Sequence, residues 1–362
     1  MDMKHLIYWS KSQLFAAAGF LATCAVLASC SRAEQPPQAF TAAMWNVQAL
    51  FDGEETGNEF RDFSEAAGWT AEKYSARITA ISQAILQMPP PDIIGFLEVE
   101  NASVLADLAG GSLAKYGYNW TAFSNIPGAA FGLGFLSRFP IEDSRAHSIT
   151  VERGTAPRPI LEVRIKPAGE PLVFLLCHWK SKLGNSTEVL RRASARVVQR
   201  RLRELRETEP ETPVIVMGDL NENHDEFFRK GGDNLNLYAL LPDDPGVAEL
   251  ATQLPANEHA FLVLSSEKPP RSITENIPAL YSPWGKLEGG SYYFRGGWET
   301  IDHFLLGDGL FDGEGWDYSD SRVLNIEPFI TSSGTPNSYI PRSGRGLSDH
   351  LPLLLYLQFV QF

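Results

Sequence analysis

The sequence predicts a layered α/β fold, on three observations. Short apolar runs of strand type alternate along the chain with segments whose apolar residues recur at helical spacing. No repeat of about 20 to 50 residues is visible, so the pattern is not that of a solenoid or propeller. The 362 residues, of which 44% are hydrophobic, are enough to bury one large core. We therefore expect one large domain, or one domain with a small appendage.

The N-terminus resembles a bacterial export signal. A cationic start precedes the apolar run 14–28, and Leu27-Ala28-Ser29-Cys30 at its end resembles a lipobox. The apolar run is shorter than the roughly 20 residues of a membrane-spanning helix. We therefore predict a signal peptide over 1–29 and a lipid anchor on Cys30. Plain secretion after cleavage nearby and a short uncleaved anchor are the alternatives.

The segment after the signal has the composition of a tether. Residues 30–39 contain two adjacent prolines among mixed polar residues. The main domain is predicted over residues 40–362. Ser31, rather than an aspartate, follows the lipidated cysteine, which favours the outer membrane in a cell with two membranes. The predicted location is the cell envelope through the lipid anchor, with secretion as the alternative, and no obligate protein partner is predicted.

The predicted elements follow from the apolar pattern. Predicted strands, each an apolar run bounded by turn residues, cover residues 40–50, 92–99, around 120, 132–136, 160–165, 172–177, 213–217, 258–264, 300–306 and 351–357. Predicted helices cover about 70–86 and 186–207, and a short helix capped by Asn101 follows the second strand. Residues 265–298 are rich in glycine, proline and aromatics and predict a long, partly ordered loop, whose aromatics are expected to contribute to specificity.

The charge balance limits the function classes. A net charge of −13 excludes a global basic surface for nucleic acid. The arginines of helix 186–207 are expected to form a solvated face. A polyanionic substrate remains compatible with this charge, because a bound cation reverses the field at the site itself.

Polar side chains of catalytic type stand where the predicted strands begin or end. They are Asn46, Glu98, His178, Asp219, Asn221, Asp302, Asp349 and His350. Singly, each has a structural explanation, because carboxylates and amides commonly end strands. Together they supply oxygen ligands for a hard cation and imidazoles for acid–base chemistry. Strand ends are also where α/β folds usually build their sites.

The order of these clusters and their residue sequences resemble those of the endonuclease/exonuclease/phosphatase superfamily. The resemblance rests on Gly218-Asp219-Leu220-Asn221, on Ser348-Asp349-His350 and on the strand that carries Glu98, and it extends over residues 42–358. It implies a four-layered α/β sandwich, with two central mixed β-sheets flanked by helices. It also implies hydrolysis of a phosphate ester with a divalent cation.

The resemblance implies a metal site formed by Asn46, Glu98 and Asp349. Because all three side chains offer oxygen, Mg²⁺ is the favoured cation, with Mn²⁺ or Ca²⁺ as alternatives. Zinc is disfavoured, since neither of the two motif histidines has the short His-x-x-x-His spacing of a zinc pair.

The resemblance also implies catalytic roles for five positions. Asp219 would polarise the attacking water, and Asn221 would hold that water or a phosphate oxygen. Asp302 would keep His350 in one tautomer facing the phosphate. His178 would be the second imidazole there, and which histidine protonates the leaving oxygen stays open.

Two further cations are candidate phosphate contacts. Lys180 lies two residues beyond His178, which places both on one side of an extended chain. Arg158 precedes the strand 160–165 and resembles a family arginine near the site. A solvated lysine and a surface ion pair are the respective structural alternatives.

The favoured function is hydrolysis of a phosphodiester, with nucleic acid as the first substrate hypothesis. A sphingomyelin or phospholipid headgroup is the second, and a phosphomonoester is the third. From a different class, a surface-binding lipoprotein could keep the fold without turnover. Fold and motifs alone do not choose the leaving group.

Overall fold

A computed structural model describes residues 38–152, 156–184, 187–232, 234–255, 259–271 and 277–361. The predicted signal peptide, Cys30 and nearly all of the tether lie outside the described residues and stay predictions. The segment Pro37–Phe362 forms one compact unit. In the described part of the chain, no helix has both the length and the apolar character needed to cross a membrane.

Strands and helices alternate along most of the described chain. The strands are β1 (Ala39–Leu50), β2 (Ile93–Val99), β3 (Trp120–Ser124), β4 (Gly132–Ser137), β5 (Ile141–His147), β6 (Ile160–Ile165), β7 (Leu172–His178), β8 (Val214–Asp219), β9 (Leu240–Pro242), β10 (Leu262–Ser265), β11 (Ala279–Tyr281), β12 (Tyr292–Phe294), β13 (Gly297–Glu299), β14 (Asp302–Leu306), β15 (Gly315–Val323) and β16 (Leu353–Val360). The α-helices are α1 (Ala71–Ile85), α2 (Ala102–Gly110), α3 (Glu188–Thr208), α4 (Glu226–Arg229) and α5 (Pro245–Thr252).

Two large mixed sheets form the centre of the fold. One has six strands in the order β15-β16-β1-β2-β4-β3, and the other has eight in the order β5-β6-β7-β8-β14-β11-β10-β9. The parallel pairs include β1 with β2 and β7 with β8, and they lie among antiparallel neighbours. The strands β12 and β13 form a separate hairpin.

The two sheets pack face to face through aliphatic and aromatic side chains. Phe40 and Phe135 of the six-stranded sheet contact Phe174 of the eight-stranded sheet, with ring centroids 6.2 and 5.6 Å apart. Gly95 permits a close approach of the sheets, since a Cβ there would collide with Met217 and Leu176. Because close-packed interiors resist small shifts, this core fixes the strand ends of one sheet relative to those of the other.

Helices cover the outer faces of both sheets. Ile81 of α1 and Leu105 of α2 pack with Phe96 on the six-stranded sheet. Val198 of α3 packs with Val173 on the eight-stranded sheet. The resulting order of helix, sheet, sheet and helix confirms the predicted α/β fold and the four-layered sandwich that the resemblance implies.

The apolar pattern misses β5 and β15, each of which lies at one edge of its sheet. Most side chains of β5 are exposed, and β15 is interrupted by Asp, Ser and Arg, so no apolar run marks either strand. Edge strands are held mainly by main-chain hydrogen bonds to one neighbour, which composition does not reveal. The predicted loop 265–298 also contains β11, β12 and β13.

Candidate active site

The eight-stranded sheet places three predicted residues side by side. Because β7 runs parallel to β8, His178 lies opposite Asp219. β14 runs antiparallel along the other edge of β8, and its first residue, Asp302, also lies opposite Asp219. A Cβ on Gly218 would collide with the carbonyl oxygen of Cys177, so the chain requires glycine beside the aspartate. Regular strand pairing therefore positions this half of the site.

The six-stranded sheet contributes through an irregularity at its strand ends. The pairing of β1 with β2, and of β2 with β4, shifts register there. Gln48, Ala49 and Glu98 lie within these shifts and have left-handed φ angles of 52°, 58° and 63°. Such angles cost residues with a side chain about 1–2 kcal/mol each, so surrounding contacts must hold them. Residues 47–49 are called the β1 bulge below.

Contacts between the two halves form one cluster. Asn46 Nδ2 donates to Glu98 Oε1 at 3.3 Å and to Asp219 Oδ2 at 3.2 Å. His178 Nε2 lies 3.8 Å from Glu98 Oε1 and 3.7 Å from Asp219 Oδ2. Four of the predicted side chains, two from each sheet, therefore meet at the ends of β1, β2, β7 and β8.

Asp302 and His350 form a hydrogen-bonded pair beside this cluster. His350 Nδ1 lies 2.8 Å from Asp302 Oδ2, and Ser291 Oγ donates to the same oxygen at 2.6 Å. The Tyr292 ring stacks on the imidazole, with centroids 4.5 Å apart. His350 Nε2 lies 3.9 Å from Asp219 Oδ2. The carboxylate thus holds one ring nitrogen, and the other faces the cluster.

The surroundings give the two imidazoles different protonation states. Burial lowers the pKa of His350, but the hydrogen bond and charge of Asp302, with other nearby carboxylates, offset this and raise the pKa to about 10. Burial and the positive charges of Arg158 and His350 hold the pKa of His178 well below its usual value. At neutral pH the first imidazole is therefore cationic and the second is neutral.

The carboxylates of the cluster repel one another. Burial and the charge of Asp302 raise the pKa of Asp219 to about 7. Burial and the charge of Asp349 raise the pKa of Glu98. Crowded buried carboxylates lose this penalty when a divalent cation lies among them. The electrostatics of the site therefore fit a bound cation.

Two groups of side chains could hold such a cation. The predicted ligands are oxygen donors of the kind that Mg²⁺ prefers: Asn46, Glu98 and Asp349. A second group has ligand atoms within 4.8 Å of one another: Asp219, Asp302 and His350. In that group Asp302 Oδ2 and His350 Nδ1 are hydrogen-bonded to each other, and one of the three ligands is an imidazole nitrogen, which suits Mg²⁺ less well than oxygen. We therefore favour the first group for the cation and the second for proton transfer.

The remaining predicted residues differ in their relation to the cluster. Asn221 lines the cleft, and its Nδ2 donates to the Trp179 carbonyl oxygen at 3.1 Å. The charge of Arg158 acts on Glu98 and on Asp219, which places it near the site.

The structure does not place Lys180 in the cleft. Its side chain is exposed, and Lys182 lines the cleft instead. β7 ends at His178, so the strand alternation from which Lys180 was predicted beside His178 does not extend to that lysine. The charge of Lys180 still acts on His178.

A cleft of about 330 Å³ is lined by six of the predicted residues: Glu98, His178, Asp219, Asn221, Asp349 and His350. It is also lined by Leu183 and by two aromatic residues of the β12–β13 hairpin, Tyr292 and Phe294. A larger cavity of about 670 Å³ is lined by residues such as His224 and Arg271 and includes none of the predicted site residues. The crowded carboxylates and imidazoles, rather than cavity size, therefore locate the candidate site.

Arg77, which lies buried on α1, was not among the residues predicted from the sequence. Its guanidinium donates to the carbonyl oxygens of the β1 bulge. A signal was present, because Arg77 lies on the same helical face as Tyr74, Ile78 and Ile81, where a basic residue is unexpected.

Solved structures share this fold. TDP2 from Caenorhabditis elegans, in a truncated form, has a TM-score of 0.52 at 14% identity, covering 90% of this chain and 99% of that one. TDP2 from D. rerio, complexed with single strand DNA product, has a TM-score of 0.52 at 15% identity, covering 89% and 100%. An endonuclease/exonuclease/phosphatase family protein from Bacteroides thetaiotaomicron has a TM-score of 0.50 at 18% identity, covering 89% and 95%.

At these identities the solved structures show only that the fold is shared, and the family is shown by a family model. No curated protein matches the sequence. Residues 41–232, more than half of the chain, match the model of the Endonuclease/Exonuclease/phosphatase family. Membership supports a divalent-metal-dependent phosphoesterase activity of nuclease type. The chain belongs to the endonuclease/exonuclease/phosphatase family.

Proposed function

We propose that this chain hydrolyses a phosphodiester, using a divalent cation, with Mg²⁺ as the first choice. One observation carries the proposal above the others. The Asp302–His350 pair, joined at 2.8 Å, faces Asp219, whose Oδ2 in turn accepts from Asn46 beside Glu98. Proton-transfer groups and cation ligands are therefore adjacent in one cleft.

The cation would be held by Asn46, Glu98 and Asp349. When bound, it would supply positive charge against the non-bridging oxygens of the substrate phosphate. Asn46 Nδ2 links the two halves of the site through Glu98 and Asp219. This link holds the Glu98 ligand oxygen beside Asp219, the proposed general base.

The side chains around the phosphate would divide the acid–base work. Asp219 would accept a proton from the attacking water, because a pKa near neutrality suits a general base. The cationic His350, oriented by Asp302, would donate to a phosphate oxygen, where negative charge accumulates in the transition state. Neutral His178 and Asn221 would contact the remaining oxygens.

Nucleic acid is the first substrate in this proposal. One neighbour in fold was solved with a single strand DNA product, and that observation concerns that protein. The net charge of −13 disfavours a long duplex and favours a short or single-stranded segment. A phospholipid or sphingomyelin headgroup is the second substrate, because Leu183 and Phe294 at the cleft are 73% and 41% exposed.

A substrate panel tests the proposed activity. The full chain, purified in detergent, is assayed with Mg²⁺ on bis(p-nitrophenyl) phosphate, p-nitrophenyl phosphate, single- and double-stranded DNA, RNA, sphingomyelin and phosphatidylinositol phosphates. We expect hydrolysis of the model diester, preference for single strands over duplexes, and loss of activity in EDTA that Mg²⁺ restores. Activity confined to the monoester would refute a phosphodiesterase, and activity unaffected by EDTA would refute the cation.

We also propose that the chain is held in the cell envelope by a diacylglycerol on Cys30. The support is the sequence alone, through the lipobox-like segment and the tether after it. Mass spectrometry of the mature protein is expected to show an acylated N-terminal cysteine, and Cys30→Ala is expected to release the protein from the membrane fraction. An unmodified, water-soluble mature protein would contradict the anchor.

A further inference from the structure

Arg77 is a cation buried in the apolar layer between α1 and the six-stranded sheet. It is 2% exposed, which is rare for arginine unless the charge is paired or hydrogen-bonded. Burial lowers the pKa of its guanidinium to about 10, so the group stays protonated at neutral pH. A buried permanent charge needs strong partners, and the identity of those partners suggests its role.

The partners are three successive carbonyl oxygens of the β1 bulge. The guanidinium donates to Val47 O at 2.6 Å, Gln48 O at 2.5 Å and Ala49 O at 3.1 Å. The Tyr339 ring covers it, with the Cζ atom 3.6 Å from the ring centroid. Gln48 and Ala49 are the residues with left-handed φ angles, so these contacts hold a strained segment in place.

The same bulge contacts all three residues that we propose as cation ligands, through the side chains of Asn46 and Glu98 and through the main chain of Asp349. The Ala49 amide donates to Glu98 Oε2 at 2.8 Å. The Gln48 amide donates to Asn46 Oδ1 at 3.1 Å, and Gln48 Oε1 accepts from the Asp349 amide at 3.0 Å. Movement of the bulge would therefore displace the ligand set as a group.

We infer that Arg77 is a positioning residue for the cation: its guanidinium holds the β1 bulge, and the bulge holds the side-chain oxygens of Asn46 and Glu98 and the main chain of Asp349. A lysine at this position would keep the charge, but a single ammonium cannot reproduce the planar fork that meets three carbonyls. The inference rests on the proposed function for the choice of ligands. It does not need turnover to be tested, because cation binding can be measured directly.

The sign of one effect separates positioning from simple electrostatics. Arg77 is positive and its charge acts on Glu98 and Asp349, so electrostatics alone predicts that its removal tightens cation binding. Positioning predicts the opposite, because loss of the fork releases the bulge. Residues that orient metal ligands typically change metal affinity by about 10- to 100-fold when they are replaced.

The experiment measures Mn²⁺ binding to the full chain in detergent, by the electron paramagnetic resonance signal of free Mn²⁺. Arg77→Lys and Arg77→Met are each expected to raise the dissociation constant at least ~10-fold. Lys73→Met is the matched control, because Lys73 lies one turn earlier on α1 and donates to the carbonyls of Pro341 and Arg342, outside the bulge. Its dissociation constant is expected to stay within about twofold of wild type.

Folding and turnover controls complete the test. Circular dichroism and thermal unfolding establish that each variant is folded; if an Arg77 variant is not, Gln48→Ala replaces it, and the same weakening of Mn²⁺ binding is expected. Folded variants that bind Mn²⁺ as tightly as wild type, or more tightly, overturn the inference. Wild type that binds no Mn²⁺ overturns it together with the proposed cation. Wild type that binds Mn²⁺ but cleaves no diester overturns the proposed activity alone.

Discussion

The two sheets build their halves of the candidate site in different ways. In the eight-stranded sheet, His178 and Asp302 lie on either side of Asp219 in uninterrupted strand register. In the six-stranded sheet, Asn46 and Glu98 lie where the register shifts and several residues take left-handed φ angles. A ladder of main-chain hydrogen bonds places the first group, and side chains from outside the sheet must hold the second.

The side chains of the two halves are therefore held in position by different interactions. Strand pairing is supported by many equivalent hydrogen bonds, so the loss of one side chain leaves the register unchanged. The bulge depends on a few contacts, chiefly those of Arg77 and Gln48, and strained backbone persists only where its surroundings hold it. We therefore expect substitutions in the proton-transfer half to change chemistry, and substitutions around the bulge to change the binding of the cation.

The largest expected effect comes from Asp219→Asn, in the half of the site that strand pairing positions. The amide keeps the shape of the side chain and the strand pairing but cannot accept a proton from water, so kcat should fall by about 10³-fold. The unfolding midpoint should be at or above that of wild type, because the substitution removes a crowded, buried negative charge. Rates on bis(p-nitrophenyl) phosphate and the unfolding midpoint are the measurements. A folded variant with wild-type turnover would remove Asp219 from the mechanism.

The next effect is expected for Asp302→Asn, which leaves His350 without its carboxylate. Turnover should fall by about 10²-fold, since the imidazole loses its orientation and its preferred tautomer. Asp302 raises the pKa of His350, so its removal lowers that pKa. The alkaline limb of the pH–rate profile should then move to lower pH, and an unchanged limb would show that His350 does not act as a cation.

A third prediction concerns the stability of the eight-stranded sheet away from the site. Glu162 on β6 is buried and accepts hydrogen bonds from His147 and from Arg201 of α3. Burial raises its pKa, but these hydrogen bonds and charges exceed that effect and lower it to about 2. Glu162→Gln should reduce the free energy of unfolding by about 2 kcal/mol at pH 7.

The pH dependence of this loss has a definite sign. A carboxyl group whose pKa is lower in the folded state stabilises the fold above its unfolded value of about 4.5. That stabilisation disappears as the pH falls towards 2. Unfolding of wild type and variant should therefore converge over this range while their turnover at pH 7 stays equal. A stability difference that persists at pH 2 would contradict the assigned pKa.

The smallest expected effect comes from Ala49→Gly in the β1 bulge. Glycine adopts a positive φ without steric penalty. Relief of the backbone strain at residue 49, where φ is 58°, should therefore stabilise the fold by up to about 1 kcal/mol. The same freedom loosens the amide that donates to Glu98, so the apparent Mg²⁺ constant should rise about twofold to threefold. Chemical unfolding and a Mg²⁺ titration measure the two effects. Loss of stability would show that the bulge is not strained.

Much of the fold was predictable, because the buried faces of helices and strands appear in the sequence as apolar residues at regular spacing. The helix predicted over about 70–86 is observed at Ala71–Ile85, and the strand predicted over 172–177 is observed at Leu172–His178. β5 and β15 show no such spacing, because edge strands expose polar side chains and are held by hydrogen bonds to a neighbouring strand. The 265–298 segment was predicted as a partly ordered loop, and its strands β11, β12 and β13 were missed because each has only three residues, too few to show a periodic pattern.

For the candidate site, the sequence by itself determined the family, the fold class and the side chains that could carry the chemistry, because motif residues and apolar runs are local features. Only the tertiary structure decided that Lys182 rather than Lys180 lines the cleft, which imidazole is charged, and that Arg77 holds the β1 bulge. Each of these depends on distances between residues far apart in the chain. Burial and Coulomb interactions act through space, so no local pattern of residues encodes them.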